Sequence, residues 1–356
     1  MLLQLLTKLI SFKTITGDTK EADRLYTWVM QTLSKQRLSA RRFSHNGFTS
    51  LYISPTHSLR PDLLLAAHID VVPGDAAQFK AKRSTKKLSG CGAYDMKFAV
   101  ACYLDLFQTH GRMLRNKKIG ILLTSDEEIG GMDGTKFVLE SGLHPSHVFL
   151  PDAGPNWTIE RLAKGVLHVE ATAKGVSAHA STPWMGKNAA LTLIRCLKEL
   201  EGDFHNRKTS STTLTIGTLH AGETINKIPS QAIAGLDFRY ETSANLSAIK
   251  KQLRALHKKY GVKFREIISG RPHTVNTKDS AILLFRRLAK SMHRKNMLFS
   301  VSHGGSDARF YAAKNIPVLL TTPTGGGHHS NHEWIDIQEL KKFNEIFQQF
   351  VLQLLS

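Results

Sequence analysis

Histidine and carboxylate side chains follow several short apolar runs of the sequence, at the points where strands are predicted to end. The set consists of His68, Asp70, Asp126, Glu127, Glu128, Asp152, His328 and His329, with Asp95 in a glycine-containing segment after the first run. In open α/β sheets, binding sites form outside the carboxyl ends of the strands, where several loops converge. A lone His-x-Asp, an acidic triplet or a His-rich loop is usually a solvated surface feature. It is the joint placement of these motifs that predicts one common site.

This combination of residue types favours metal chemistry. Imidazole and carboxylate ligands without a thiolate suit catalytic Zn²⁺, Co²⁺ or Mn²⁺ rather than a structural zinc site. The segments provide more ligands than a single tetrahedral zinc ion needs. Two metal ions that share a bridging carboxylate are therefore the simplest hypothesis.

A sheet surrounded by helices would position these residues. Apolar runs at 63–67, 119–123, 148–150 and 316–320 are typical of strands that are buried on both faces of a parallel sheet. A helical pattern over 99–110 lies between the first two runs. This alternation predicts an α/β domain with a doubly wound, mostly parallel sheet.

The middle of the chain has a different pattern. Residues 166–174 alternate between apolar and polar side chains, as a half-buried strand does. The other predicted elements of this region are a helix at 187–200, strands at 213–220, 231–240 and 262–267, and a helix with Leu246, Ile249, Leu253 and Leu256 on one face. The order β-α-β-β-α-β is that of a ferredoxin-like α+β unit. We therefore expect a discontinuous domain at 1–164 and 275–356, interrupted by an inserted domain at 165–274.

Length and composition agree with a globular protein of about two domains. The chain has 356 residues, of which 41% are hydrophobic and 22% charged, and these values exclude general disorder. Leucines at 2, 5, 6 and 9 have helical spacing, and the segment lacks the basic region and cleavage site of a signal peptide. No apolar run approaches the roughly 18 residues of a membrane span. With three cysteines and no Cys-x-x-Cys motif, we expect a cytoplasmic protein with no disulfide framework.

The formal charge of +19 raises the question of nucleic-acid binding, because clustered Lys and Arg bind polyanions. The sequence contains no recognisable nucleic-acid motif and no interleaved aromatic residues of the kind that stack on bases. We therefore expect neither nucleic acid nor a membrane as a partner. The basic surplus is instead interpreted as a solvated surface that attracts small carboxylate-bearing substrates.

Six segments carry the most specific combination of motifs. They are His68-Ile-Asp-Val-Val-Pro, Gly92-Ala-Tyr-Asp-Met-Lys, Thr124-Ser-Asp-Glu-Glu-Ile-Gly, Gly175 to His179, Asn226-Lys-Ile-Pro and His329 to Glu333. In this order they resemble the M20 family of metallopeptidases and deacylases over nearly the whole chain. That family includes succinyl-diaminopimelate desuccinylase, acetylornithine deacetylase, aminoacylase, glutamate carboxypeptidase and carnosinase-type dipeptidases. The resemblance implies a metal-binding catalytic domain with an inserted lid and dimerisation domain.

The resemblance also implies ligand roles. His68 and Asp152 correspond to ligands of one divalent metal ion. Glu128 and His329 correspond to ligands of a second ion, and Asp95 corresponds to the carboxylate that bridges the two. The family suggests Zn²⁺, with Co²⁺ or Mn²⁺ as alternatives.

Two further carboxylates have catalytic counterparts in the family. Asp70 resembles the carboxylate that fixes the tautomer and orientation of the metal-binding His68. Glu127 resembles the general base, which takes a proton from water and delivers it to the leaving amine. The implied reaction is hydrolysis of an amide.

The inserted domain and a late loop supply candidates for substrate binding. His179 resembles the lid histidine that reaches across a dimer interface to stabilise the oxyanion in the partner's site. Asn226 and Arg239 resemble residues that hold substrate carbonyl and carboxylate groups, and a guanidinium suits a carboxylate. Gly304 and Gly305 resemble a glycine-rich loop near the substrate carboxylate. A merely exposed Arg and neutral packing of the histidine are the alternatives.

These implications predict a homodimeric enzyme that cleaves the amide bond of an N-acyl amino acid, as a deacetylase or desuccinylase does. A dipeptidase, aminopeptidase or carboxypeptidase of the same family is the alternative within this class. A relative that kept the fold and lost catalysis is a further alternative, although the ligand positions and the base are all present.

Overall fold

The computed structural model describes residues 1–204, 206–207 and 209–356. The chain forms two compact units, one of Met1–Arg161, Thr274–Ser302 and Ser306–Ser356, the other of Leu162–His273 and His303–Gly305. The first unit is therefore discontinuous. The short segment His303–Gly305 groups with the second unit, whereas the boundaries expected from the sequence place it in the first.

The elements of the first unit fall in two stretches of the chain. The first stretch contains α1 (Leu2–Ile10), α2 (Thr19–Thr32), β1 (Ser39–His45), β2 (Phe48–Ser54), β3 (Leu63–His68), β4 (Lys82–Arg83), β5 (Lys87–Ser89), α3 (Lys97–Leu114), β6 (Ile119–Thr124), α4 (Phe137–Glu140), β7 (His147–Phe149) and β8 (Ile159–Ala163). The second unit contains β9 (Gly165–Lys174), α5 (Ala189–Gly202), β10 (Thr212–Ala221), β11 (Gln231–Tyr240), α6 (Ser243–Tyr260) and β12 (Lys263–Gly270), followed by β13 (His273–Thr274). The chain then forms α7 (Ser280–His293), β14 (Phe299–Ser302), α8 (Ala308–Ala312), β15 (Val318–Leu319), β16 (Gly325–Gly326), β17 (Trp334–Asp336) and α9 (Ile337–Leu354). Strands β8 and β13 contain residues of both units.

The main sheet of the first unit has six strands in the order β1-β2-β6-β3-β7-β15. The pairs β3–β6, β3–β7 and β7–β15 are parallel, and the β1–β2 hairpin adds antiparallel strands at one edge. Every residue of β3 and β6 is buried, which explains why both strands are apolar throughout rather than alternating. The expected α/β class with a mostly parallel sheet is confirmed.

Helix α3 is longer than its sequence pattern predicts. It continues past His110 to Leu114 and includes Gly111, a residue that normally weakens a helix. A Cβ atom at Gly111 would lie 2.0 Å from Oε1 of Gln36, so a larger residue there would force the Gln36 side chain to move. Burial of Leu114 stabilises the extra turn.

A small antiparallel sheet connects two distant parts of the first unit. Its strand order is β16-β17-β5-β4, and β17 pairs with β5 so that Trp334 lies opposite Ser89 and Ile335 opposite Leu88. The loop after β5 leads to Asp95, and the loop between β16 and β17 contains His329. This sheet therefore determines where both loops begin or end.

The second unit is an antiparallel sheet in the order β10-β11-β9-β12, with α5 and α6 packed against it. Buried and partly exposed residues alternate along β9, and the predicted core face of this strand is confirmed. Helix α6 begins with a capping box between Thr242 and Asn245 and ends at Gly261, whose φ of 72° suits glycine. The element order β-α-β-β-α-β agrees with the expected ferredoxin-like unit. Across the described residues, every helix is too short or too polar to span a membrane.

Candidate active site

The parallel strands of the main sheet end at one edge, where several of the predicted site residues follow them. His68 is the last residue of β3 and lies in register with Thr124 at the end of β6. Glu127 and Glu128 form a short 3₁₀ turn after β6, and Asp152 lies shortly after β7. The strand register thus brings three motifs that are distant in sequence to the same place.

Asp95 lies between two histidines. Its Oδ1 atom is 3.1 Å from Nε2 of His68, and its Oδ2 atom is 3.2 Å from Nε2 of His329. The two imidazoles therefore present the same ring nitrogen to opposite oxygens of one carboxylate. In this arrangement a single carboxylate could bridge two cations, each bound by one of the histidines.

Each of these histidines also faces a second carboxylate. Nε2 of His68 is 3.5 Å from Oδ1 of Asp152, and Nε2 of His329 is 2.9 Å from Oε2 of Glu128. Glu127 lies on the side of His68 and Asp152, and candidate ligand atoms of these three residues are within 4.8 Å of one another. The five predicted ligands and the predicted base thus lie close together in one site.

Asp70 contacts both His68 and the acidic turn. Nδ1 of His68 donates to the backbone carbonyl of Asp70 at 3.0 Å, whereas the Asp70 carboxylate is 3.5 Å from the same nitrogen. That carboxylate accepts hydrogen bonds from the Thr16 hydroxyl at 3.0 Å and from the backbone N–H groups of Glu127 and Glu128 at 3.3 and 3.2 Å. Asp70 therefore orients the imidazole mainly through its main chain. Its side chain holds the turn, a role that the sequence pattern does not reveal.

Three carboxyl groups of the site have raised pKa values. Burial raises the pKa of Glu127 well above its ordinary range, and the nearby charge of Asp152 raises it further. Burial likewise raises the pKa of Glu128 to about 7 and the pKa of Asp152 to about 6. Negative charge concentrated in a low-dielectric site is unfavourable without a positive partner.

The histidines supply part of that positive charge. Burial disfavours ionisation of Asp95, but hydrogen bonds from His329 and His68 outweigh it and hold the pKa of this carboxyl below its ordinary value. The same contact with Asp95 raises the pKa of His329 to about 9, even though burial opposes the shift. Imidazole protons thus occupy the positions at which cations would bind.

The chemistry of the donor set fits divalent metal ions. Imidazole nitrogen and carboxylate oxygen are ligands for Zn²⁺, Co²⁺ and Mn²⁺. His68 is fully buried in the site and its remaining nitrogen is held by a carbonyl, which is the usual support of a metal-binding imidazole. Burial raises the pKa values of the neighbouring carboxyl groups, and a bound cation would favour their charged forms.

A second layer of residues supports the acidic turn from outside. Nη2 of Arg309 donates to the backbone carbonyl of Gly130 at 2.6 Å. The Thr135 hydroxyl donates to the buried carboxylate of Asp307 at 2.5 Å, and burial raises the pKa of Asp307 to about 7. The motif that follows Gly305 is therefore partly structural, whereas the sequence alone predicts only a substrate contact for this loop.

Glu333 belongs to the last sequence motif, which assigns it no role. The residue is 5% exposed, and its carboxylate accepts hydrogen bonds from the backbone of the loop that carries Asp95. Burial raises the pKa of Glu333 to about 7, and these hydrogen bonds act in the opposite direction. Glu333 reaches the Asp95 loop because β17, which follows it directly, pairs with the distant strand β5. No local sequence signal reveals this long-range pairing.

In the second unit, His179 and Asn226 lie on adjacent segments. The backbone N–H of Ala180 donates to the carbonyl of Asn226 at 3.0 Å, and His179 forms an isolated bridge with Lys227. Both residues are exposed. Nδ1 of His179 accepts a hydrogen bond from the backbone of Ser181 at 3.2 Å, so the neutral ring carries its proton on Nε2. That atom is thereby prepared to donate.

The other predicted substrate residues also belong to this unit. The guanidinium of Arg239, in β11, already binds Asp237 through two hydrogen bonds of 2.8 and 2.9 Å. A substrate carboxylate at Arg239 would therefore share the guanidinium with Asp237 or displace it. Gly304 and Gly305 are exposed and form part of the short segment that groups with this unit.

An α/β sheet whose carboxyl edge gathers histidines and carboxylates, together with an inserted α+β unit, defines the class of metal-dependent hydrolases. Within this class the chain belongs to the peptidase family M20/M25/M40, whose family model matches residues 64–353. Membership implies a hydrolase that acts on amide C–N bonds and binds divalent metal ions.

Individual relatives extend this similarity. The chain is 26% identical over 317 residues to succinyl-diaminopimelate desuccinylase of Marinobacter nauticus, covering 83% of this chain and 84% of that protein. It is 25% identical over 394 residues to the enzyme of the same name from Rickettsia akari, covering all of both chains. Among solved structures, a Staphylococcus aureus tripeptidase matches with a TM-score of 0.85 at 18% identity, over 99% of this chain and 97% of that one. Human carnosine dipeptidase 1 matches with a TM-score of 0.73 at 15% identity, over 99% and 95%. These structural similarities show the shared fold.

Proposed function

We propose that the protein is a dinuclear metallohydrolase that cleaves the amide bond of an N-acyl amino acid. The observation that carries the proposal is the position of Asp95, whose two oxygens face His68 and His329. Asp152 and Glu128 complete the two sides as the second carboxylates. We assign His68 and Asp152 to one divalent ion and Glu128 and His329 to the other, with Zn²⁺ as the first choice and Co²⁺ or Mn²⁺ as alternatives.

When bound, two divalent ions would polarise the substrate carbonyl and lower the pKa of water in the site. The residues of the chain perform the proton transfers. Glu127, whose pKa is raised by burial, is suited to take a proton from the attacking water and to deliver it to the leaving amine. Asp70 keeps Glu127 in place by accepting its backbone N–H. His179, with its proton on Nε2, is the candidate donor to the oxyanion in the site of a dimer partner.

The proposed substrate is an N-acyl amino acid of the acetylated or succinylated type. Support comes from the two relatives named succinyl-diaminopimelate desuccinylase, which are similar to this chain over most or all of its length. We assign Asn226, Arg239, Gly304 and Gly305 to binding of the substrate carbonyl and carboxylate groups. Hydrolysis of dipeptides or tripeptides, by dipeptidase, aminopeptidase or carboxypeptidase action, is the competing possibility within the family, and an inactive relative is the other.

A substrate panel tests this proposal. Protein loaded with Zn²⁺, Co²⁺ or Mn²⁺ is assayed against N-acetyl and N-succinyl amino acids, dipeptides and tripeptides, and metal content is measured by mass spectrometry. We expect two metal ions per chain and turnover of the acylated amino acids. Preferential cleavage of peptides would favour the competing activity, and a protein that binds no metal under replete conditions would contradict the whole assignment.

We also propose that the second unit forms a homodimer interface. Strand β10 is an edge strand, and its Leu219 is 50% exposed. On α5, which packs against this sheet, Leu191 and Ile194 are also about half exposed. An unpaired apolar edge is a natural site for pairing with a second copy.

The three cysteines are buried free thiols, and this supports the expected cytoplasmic location.

The dimer can be tested with a matched pair of variants. Leu219→Glu places a charge on the edge strand, and Leu298→Glu places the same charge on a comparably exposed leucine of the other unit. In analytical ultracentrifugation we expect the wild-type protein and Leu298→Glu to sediment as dimers, and Leu219→Glu to sediment as a monomer of reduced activity. A fully active wild-type monomer would contradict the proposed interface.

A further inference from the structure

Glu333 connects the two loops that carry the bridging carboxylate and one of the histidines. Its Oε2 atom accepts the backbone N–H of Gly92 at 2.8 Å, and its Oε1 atom accepts those of Tyr94 and Asp95 at 2.6 and 2.9 Å. The backbone carbonyl of Glu333 in turn accepts the N–H of Gly90 at 3.2 Å. One residue thus receives four hydrogen bonds from the loop of Asp95.

The same residue fixes the end of the His329 loop. Glu333 is followed directly by β17, whose pairing with β5 holds the start of the Asp95 loop. His329 adopts a left-handed conformation with φ of 57°, which few residues other than glycine adopt without support. Glu333 lies where the chain returns from this turn to the sheet. A displacement of its carboxylate would therefore move both loops.

Lys97 and His329 are close enough for their positive charges to attract the Glu333 carboxylate, but among the described residues no Lys, Arg or His is in direct ion-pair contact with it. Its direct hydrogen-bond donors are three main-chain N–H groups that converge on its two oxygens. Burying a carboxylate in this way is unfavourable unless the hydrogen bonds are well formed. They are short, so the loop backbone is held in one conformation around the side chain.

We propose that Glu333 is a positioning residue that sets the distance between Asp95 and His329 and thereby the affinity and geometry of the second metal ion. Its carboxylate hydrogen-bonds to the backbone of the Asp95 loop rather than to the candidate ligand atoms. It acts through the backbone of the Asp95 loop and through its own place in the His329 loop. The proposal rests on the dinuclear function proposed above and adds to it the residue that couples the two loops.

Glu333→Gln tests the proposal, because glutamine keeps the size of the side chain but turns one acceptor oxygen into a donor. That NH₂ group would face a main-chain N–H and repel it. The metal-free variant is titrated with Co²⁺, and binding is followed by calorimetry and by the visible absorption of the bound ion. We expect the second equivalent of Co²⁺ to bind about 10–100-fold more weakly than in the wild type, with a changed absorption spectrum. Glu333→Asp keeps the charge and is expected to recover part of the lost affinity.

Glu339→Gln is the matched control. Glu339 lies in the same unit and accepts hydrogen bonds from Trp157 and from Lys295 and Lys342, away from the Asp95 loop. Both glutamine variants are expected to lower the thermal midpoint, but only Glu333→Gln should change the Co²⁺ titration. Unchanged binding of two Co²⁺ ions by Glu333→Gln would overturn the positioning role alone. A wild-type protein that binds fewer than two ions would overturn the dinuclear function and this proposal with it.

Discussion

Replacing Glu127 with glutamine is expected to lower kcat by about 10³-fold while both metal ions remain bound. The substitution removes the proton acceptor but keeps the shape of the side chain. The hydrogen bond that fixes this residue is donated by its backbone to Asp70 at 3.3 Å, so the turn does not depend on the side chain that is changed. Loss of proton transfer is therefore separable from loss of structure.

The magnitude follows from the place of Glu127 in the site. A well-placed general base contributes about 10²–10⁴ to the rate, and a loss of 10³ corresponds to about 4 kcal/mol in the activation barrier. Burial raises the pKa of this carboxyl, and a base whose pKa lies near the working pH is the most effective. We expect the acid limb of the kcat/KM profile to be lost in the variant. KM should change little, because the base does not hold the ground state of the substrate.

The assay combines steady-state kinetics with metal analysis of the same preparation. Glu128→Gln is the control, because it changes the adjacent carboxyl of the same turn and should remove a ligand. We expect about two metal ions per chain in Glu127→Gln and fewer in Glu128→Gln. The candidate ligand atoms of Glu127, His68 and Asp152 lie within 4.8 Å of one another, so Glu127 could itself bind a metal ion. Loss of a metal ion from Glu127→Gln would show that Glu127 is a ligand. Retained activity would refute its role as the base.

Two predictions concern the residues behind the site. Burial raises the pKa of Asp307 to about 7, so between about pH 4 and pH 7 the folded state holds a proton that the unfolded state releases, and stability falls as the pH rises. Asp307→Asn keeps an acceptor for Thr135 but does not bind this proton. The difference in thermal midpoint between the variant and the wild type, measured without metal, should therefore shift in favour of the variant by about 3 °C or more as the pH is raised across that range. A difference independent of pH would contradict this account. Gly131→Ala should lower the free energy of unfolding by at least about 2 kcal/mol, because φ is 62° and the new Cβ would lie 1.9 Å from Oδ1 of Asp307. Gly202→Ala, at a helix position with open space around it, is the control in urea unfolding and should be neutral or stabilising.

The strands that build the site could be predicted because local patterns specify them. Residues 63–67 and 119–123 are apolar throughout, and the structure buries every residue of β3 and β6. A parallel strand that is buried on both faces stays apolar until it leaves the sheet. The first polar residue at the end of each apolar run therefore marks the edge at which the site forms. The alternating pattern of residues 166–174 predicted the half-buried β9 for the same kind of reason.

The supporting contacts could not be predicted, because they depend on pairing between distant segments. Strands β5 and β17 are three residues each and are separated by most of the chain, so neither has a pattern of its own. Only their register places Glu333 beside Asp95. The carboxylate of Asp70 likewise meets the turn of Glu127 and Glu128 only after β3 and β6 have paired.

The carboxylates near the site differ in the groups that compensate their charge. This difference distinguishes the carboxylates that support the loops from those that are candidate metal ligands. Those of Asp70 and Glu333 accept hydrogen bonds from main-chain N–H groups, which are fixed dipoles that no metal ion would replace. Those of Asp95, Asp152 and Glu128 contact imidazoles, whose protons a metal ion would displace on binding. The first kind of contact persists when the site is loaded and keeps the loops in place. The second kind is exchanged for the cation, so the folded chain can hold its acidic ligands together before the metal arrives.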